Sequence, residues 1–151
     1  MLEMLPLASD LVERGEAAAV RQRIAESGKP CVMYEGHPTD PLKGRCTVYE
    51  LRPTMCRLYG FAARTSTERP GGKQYVPCVR HEELQPEAVA EAQRKLEAEG
   101  LDIPMIATEH ARVMMVNRNL GRETLPINEA LRRALDLVEE VRRDSEMSWA
   151  P

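Results

Sequence analysis

The sequence predicts a mainly α protein, with several helices around an irregular, loop-rich segment that holds all four cysteines, and with little or no β-structure. Three observations predict it. Apolar residues recur at helical spacing near the N-terminus and again from residue 86 onward. Between them, from Gly28 to Pro77, stand six glycines and six prolines, a density of punctuation that forbids long helices. The aromatic share is only 4%, so the core falls to Leu, Val, Ala and Met.

The elements follow in order along one expected domain, residues 1–151. Residues 9–28 read as an N-terminal helix: Ser9 or Asp10 can cap it, Leu11, Val12, Ala18, Ala19 and Ile24 form its apolar positions, and Gly28 and Pro30 end it. Residues 29–84 form the cysteine-rich segment. Within it, Thr47-Val48-Tyr49 suits a short strand, the stretch from Arg52 to Leu58 suits one helical turn starting at Pro53, and 64–73 reads as a mobile surface loop. Ordering so irregular a stretch costs conformational entropy that its few apolar side chains cannot offset, which points to a cross-link.

Residues 85–145 return to a helical scaffold. Pro86 fits a first helical position, Val89, Ala92 and Leu96 recur at helical spacing, and Gly100 fits the stop. A further helix is expected over 104–117, with Ile106, Val113 and Met114 inward; a strand over 112–116 is the weaker option. In the last helix Asn128 is the expected cap, and Leu131, Ala134, Leu135, Val138 and Val141 share a face.

No apolar run approaches the roughly 20 residues of a bilayer-spanning helix, and Glu3 interrupts the N-terminus before a hydrophobic stretch forms. A cytoplasmic location with no membrane partner is therefore expected, and a reducing compartment argues against two structural disulfides. The net charge is −3 but unevenly spread. From Cys31 to His81 eight bases face four acids, whereas the remainder carries 13 bases and 20 acids. Four metal-bound thiolates bring −4 against about +2 from zinc or from the iron and sulfide of an oxidised cubane, and the local basic surplus would offset what is left. A nucleic-acid partner is disfavoured by the acidic pI of about 5.7 and by the lack of aromatics interleaved with the bases.

The cysteines are spaced C-x14-C-x9-C-x21-C, at Cys31, Cys46, Cys56 and Cys78. There is no CxxC knuckle of the kind zinc fingers and thioredoxin-like redox pairs carry. All four fall in the most broken part of the chain, amid arginines, which argues against the plain alternative of four buried hydrophobic thiols. Around the middle pair the sequence runs Gly44-Arg45-Cys46-Thr47-Val48-Tyr49-Glu50-Leu51-Arg52-Pro53-Thr54-Met55-Cys56-Arg57-Leu58-Tyr59. This resembles the signature G-x-C-x-[IV]-Y-x-x-R-P-x-x-C-R-x-[YF] of the YkgJ-like cysteine-cluster family of zinc- or iron-chelating domains. Cys31, in Lys29-Pro30-Cys31-Val32-Met33, resembles the preceding C-x-[FL]-L element, and Cys78 the distant closing cysteine. The chain departs from the family in having no cysteine cluster upstream of Cys31.

The resemblance implies a metal centre on Cys31, Cys46, Cys56 and Cys78. Four ligands suffice for one tetrahedral zinc or one 4Fe-4S cluster, and the dispersed ligands favour the cluster, in electron transfer or redox sensing. Arg57, Tyr49 and Tyr59 are the candidate cofactor-flanking residues: Arg57 to lower thiolate pKa values and donate to sulfur, Tyr49 to cover the site or pack in the core, and Tyr59 to assist a substrate if the centre is catalytic. Pro53 would rigidify the turn before Cys56. His37 and His81 are candidate replacements for a cysteine ligand, His110 reads as structural, and Met105, Met114 and Met115 read as core filling. A structural zinc module mediating protein interactions stays open as an alternative. So does a cluster-dependent enzyme, although no paired carboxylates, Ser-His pair or phosphate-cradling loop suggests a reaction.

Overall fold

The computed structural model describes residues 1–28, 31–40 and 43–148, apart from the side chains of Val79, Arg80 and Ser148. It is mainly α: among the described residues there are eight α-helices, two 3-10 turns and two antiparallel hairpins of two strands each. The chain divides into two compact units, residues 1–52 with 116–151, and residues 53–115.

The first unit is built on helices. A 3-10 turn over Leu2–Met4 leads into α1 (Leu5–Glu13) and α2 (Ala17–Glu26). The single helix expected over 9–28 is therefore two. Gly15 is the reason: at φ 72° it takes the left-handed conformation, its N–H donates to the Val12 carbonyl, and the Glu16 N–H donates to the Leu11 carbonyl at 2.8 Å. That pair of bonds is a Schellman motif, which caps α1 and redirects the chain.

Hairpin strands β1 (Tyr34–Gly36) and β2 (Gly44–Cys46) follow, then a 3-10 turn over Tyr49–Leu51. The expected strand at 47–49 thus lies three residues earlier. Near the C-terminus the same unit contains α8 (Ile127–Ser148). Leu7, Ala8 and Leu11 of α1, Ala17 and Val20 of α2, and Ala130, Leu131, Ala134 and Leu135 of α8 are buried together with Met4 and Met33. The spacing of these residues places each set on one helical stripe. Arg21 of α2 reaches Asp136 and Glu139 of α8 at 3.0 and 2.9 Å and ties the two helices outside the core.

The second unit is smaller in its apolar content. It comprises α3 (Thr54–Leu58), strands β3 (Ala62–Thr65) and β4 (Lys73–Val76), α4 (Val79–Leu84), α5 (Pro86–Glu99) and most of α6 (Ile106–Val116). Pro53, α3 and the Pro86 and Gly100 ends of α5 match the sequence expectation, as does the helical form of α6; Gly100 takes φ 61°. The expected surface loop over 64–73 is instead partly strand. Arg64 pairs with Gln74 and Thr65 with Lys73, leaving 66–72 as the connection. Among the described residues of this unit, the buried apolar ones are Leu58, Ala62, Ala63 and Leu96. Polar bonds knit α5 to the sheet: the Gln93 side chain accepts from the Tyr75 N–H at 2.8 Å and donates to the Lys73 carbonyl at 3.2 Å. A backbone bond from Ala63 N–H to the Pro104 carbonyl holds the approach to α6.

The first unit also holds α7 (Arg118–Gly121), a single turn capped by Asn117, whose side chain accepts from the N–H groups of Asn119 and Leu120.

Candidate metal centre

Two of the four cysteines belong to the first unit. Cys31 opens a turn in which its carbonyl accepts the Tyr34 N–H at 2.9 Å. Two residues on, Met33 is 3% exposed in the helical core and anchors the turn. Asn128 completes the anchor. Rather than capping α8, which already begins at Ile127, its Oδ1 accepts the Val32 N–H at 3.0 Å. The Thr47 N–H and hydroxyl both donate to the Met33 carbonyl, at 2.9 and 3.0 Å, and so bind the residue after Cys46 to the Cys31 turn.

Cys46 ends β2 opposite Tyr34. The glycine of the G-x-C signature has a steric reason here. A Cβ at Gly44 would collide with the Tyr34 hydroxyl and lie 2.5 Å from the Glu35 carbonyl, so only glycine lets the hairpin close. Burial pushes the Cys31 thiol pKa up, a backbone hydrogen bond at Met33 opposes it, and the neighbouring Cys46 raises it further. A thiol whose ionisation burial and a neighbouring cysteine discourage suits a cation, which removes the penalty when it displaces the proton.

After Cys46 comes the most specific part of the signature, and it closes on itself. In the 3-10 turn the Arg52 Nε–H donates to the Tyr49 carbonyl at 3.0 Å, while its guanidinium lies 3.4 Å over the centre of the Tyr49 ring. A cation–π contact of this kind contributes about 0.5–1 kcal/mol at an exposed site. Tyr49 is 59% exposed, so it does not serve as core packing. The reason is its place in a three-residue turn, where stacking with Arg52 keeps it outside.

The other two cysteines belong to the second unit. Cys56 lies within α3, which Pro53 precedes and Leu58 anchors by burial. Arg57 is exposed one residue further on, and Tyr59, at the end of α3, is 48% exposed. Cys78 is the residue before α4, and its carbonyl accepts the N–H groups of His81 and Glu82 at 2.8 and 3.2 Å. Tyr75 stands near it, and the charge of Cys78 adds to the effect of burial in raising the Tyr75 pKa. The Tyr75 hydroxyl donates to the Gly60 carbonyl at 2.9 Å.

None of the four cysteines is in a disulfide, and all are half-buried. The structure brings Cys31 beside Cys46. Among the described residues, no group of three or more His, Cys, Asp or Glu side chains is assembled to hold a metal ion. His37 is an exposed loop residue whose Nδ1 faces Thr39, and His110 lies on α6. Asn128 and Gly60 are supporting residues that sequence reasoning misses. Asn128 has the signal of a helix cap, and only the fold reveals its other use. The Cys78-x-x-His81 spacing, by contrast, is visible in the chain.

Residues 5–94 match the model of the CxxCxxCC family, described as "Putative zinc- or iron-chelating domain". That span exceeds half of the chain and includes all four cysteines, and the chain belongs to this family. No curated protein and no solved structure matches it. Among the described residues no helix is long and apolar enough to cross a membrane.

Proposed function

We propose that this chain holds one metal centre, a 4Fe-4S cluster in preference to a zinc ion, with Cys31, Cys46, Cys56 and Cys78 as ligands, and that it acts in electron transfer or redox sensing. The observation that carries the reading is the state of the thiols. Four cysteines in a zinc- or iron-chelating family stand outside any disulfide and are all half-buried. Half-buried thiolates are costly without a cation, and soft sulfur donors select zinc and iron–sulfur centres over harder ions.

The ligand spacing favours the cluster. A cubane presents its irons at separate corners, so ligands arriving from separate turns and helices suit it better than a tight knuckle does. Bound there, the cluster supplies one-electron chemistry. The chain's own residues supply the rest. The basic surplus from Cys31 to His81 offsets the negative thiolate set, Arg57 adds its charge beside Cys56, and the Tyr49–Arg52 stack stiffens the turn between Cys46 and Cys56. Tyr49 and Tyr59 flank the centre as exposed rings. Zinc is the second reading, and the Cys78-x-x-His81 spacing favours it, because zinc accepts mixed sulfur and nitrogen ligands.

Anaerobic purification followed by a visible spectrum and by iron, sulfide and zinc analysis tests the reading. A brown protein containing iron and sulfide, lost in the Cys46→Ser and Cys56→Ser variants, is expected. A colourless protein with one bound zinc replaces the cluster with the second reading. A chain that holds neither metal, and folds unchanged when those cysteines are replaced, overturns both.

A further inference from the structure

Inside the second unit lies a cavity of about 300 Å³ that no cysteine lines. Ala92 and Leu96 of α5, with Phe61, Leu101 and Ile103, give it apolar walls. Leu96 is 4% exposed, whereas Phe61 and Leu101 are 71% and 39% exposed, so the cavity runs from a buried leucine to an open apolar rim. Gly60 and Tyr75 complete the lining, and their polar groups are already in use. The Tyr75 hydroxyl donates to the Gly60 carbonyl at 2.9 Å, and the Gly60 N–H donates to the Val76 carbonyl at 2.9 Å. A polar group pushed in among them would lose its water without gaining a partner, so the part of a ligand that enters has to be apolar.

The end group is set by charge. Lys95 is the one charged residue on the lining, and no acid stands there with it. Its ammonium lies 3.9 Å from Glu91, at the limit of an ion pair, while Arg94 holds the same carboxylate at 2.6 Å. The Lys95 stem can therefore cover apolar wall while its charge stays available at the mouth. Size sets the rest: 300 Å³ is at the lower end of small-molecule sites, with room for one ring or a short chain.

We propose that this cavity binds a small apolar monocarboxylate, with its ring or chain against Ala92 and Leu96 and its carboxylate on the Lys95 ammonium. Such a ligand also removes from water the apolar surface of Phe61 and Leu101 that the fold leaves open. The proposal goes beyond the metal centre and does not depend on which residues hold the metal.

Hexanoate and 1-hexanol, titrated separately into the nitrogen-15-labelled full-length chain and followed by amide NMR shifts, test it. Saturable shifts over residues 92–96 and 101–103 are expected, with the amides of α1 and α8 unmoved. Lys95→Met keeps the stem and removes the charge; it should weaken hexanoate about fivefold, the upper range for an exposed ion pair, and leave 1-hexanol unchanged. Ala92→Phe fills the cavity and should abolish the binding of both. Leu101→Glu, at the exposed rim where folding tolerates a charge, should weaken hexanoate more than 1-hexanol.

Shifts that never saturate, or that fall on α1 and α8 instead, overturn the proposal. So does a Lys95→Met variant that binds acid and alcohol as the wild type does, or loses both equally. Hexanoate binding that survives both Ala92→Phe and Leu101→Glu overturns it as well. The dispersion of the amide spectrum separates an unfolded variant from an empty cavity, and none of these outcomes bears on the metal content.

Discussion

The two units meet the entropy of folding by different means. In the first, eleven buried apolar residues from the N-terminal 3-10 turn, α1, α2, the Cys31 turn and α8 form one cluster. In the second, the buried apolar residues among the described ones are Leu58, Ala62, Ala63 and Leu96, and Phe61 is 71% exposed. Two of the four there are alanines, which bury little area, so the apolar contribution is small against the cost of ordering more than sixty residues. Polar bonds from Gln93 and Tyr75 carry a correspondingly larger share. The difference teaches that the second unit leans on polar bonds where the first has an apolar cluster, in which Met33, with Asn128 beside it, secures the Cys31 turn.

The largest effect belongs to the apolar cluster. Leu131→Ala in α8 should cost about 2–5 kcal/mol, read from urea denaturation, because a fully buried leucine leaves a cavity among α1 and α2 side chains. A loss below 1 kcal/mol would break the contrast, since the first unit would then not depend on its core.

Gln93→Leu probes the second unit and should cost about 1–3 kcal/mol by leaving the Tyr75 N–H and the Lys73 carbonyl unpaired. Hydrogen exchange reads it locally: the Tyr75 amide should exchange faster while the α8 amides stay as protected as before. Equal acceleration in α8 would show that the two regions open as one, and the comparison would have to be redrawn.

The smallest effect is electrostatic. Hydrogen bonds from Arg132 and then Arg133 pull the Glu129 carboxyl down from 4.5 to about 2. A depressed carboxylate adds stability that is fully present above the unfolded value and disappears as the pH falls through the folded one. Acid between about pH 4.5 and pH 2 should therefore loosen the start of α8, and Glu129→Gln should remove that pH dependence. Exposure and salt keep the gain small. An acid profile identical in the variant would remove Glu129 from the account.

Much of this was readable in advance, for reasons that lie in single residues. Pro86 and Gly100 bound α5 because one lacks the N–H that a first turn leaves unpaired and the other accepts the left-handed end. The α8 stripe is plain because its period repeats through Leu131, Ala134, Leu135 and Val138. The break at Gly15 is not visible in the chain: a glycine within a helical pattern reads as tolerated until its bond to Val12, and that of Glu16 to Leu11, are seen. The hairpin over 62–76 was missed as well, because Arg64, Gln74 and Lys73 are polar and their pairing is set by a partner strand and by Gln93 on α5.

By itself the chain determined the helical class, the confinement of the cysteines to one punctuated segment and the signature that places it in a metal-chelating family. These are local matters: periodicity, backbone freedom and side-chain chemistry act over a few residues. Only the tertiary structure decided that Asn128 holds the Cys31 turn, that Tyr49 stacks under Arg52 in the open, and that Phe61 and Lys95 border one apolar cavity. Such contacts join residues far apart in number or hang on one turn's geometry, and no short stretch of sequence carries the partner's position.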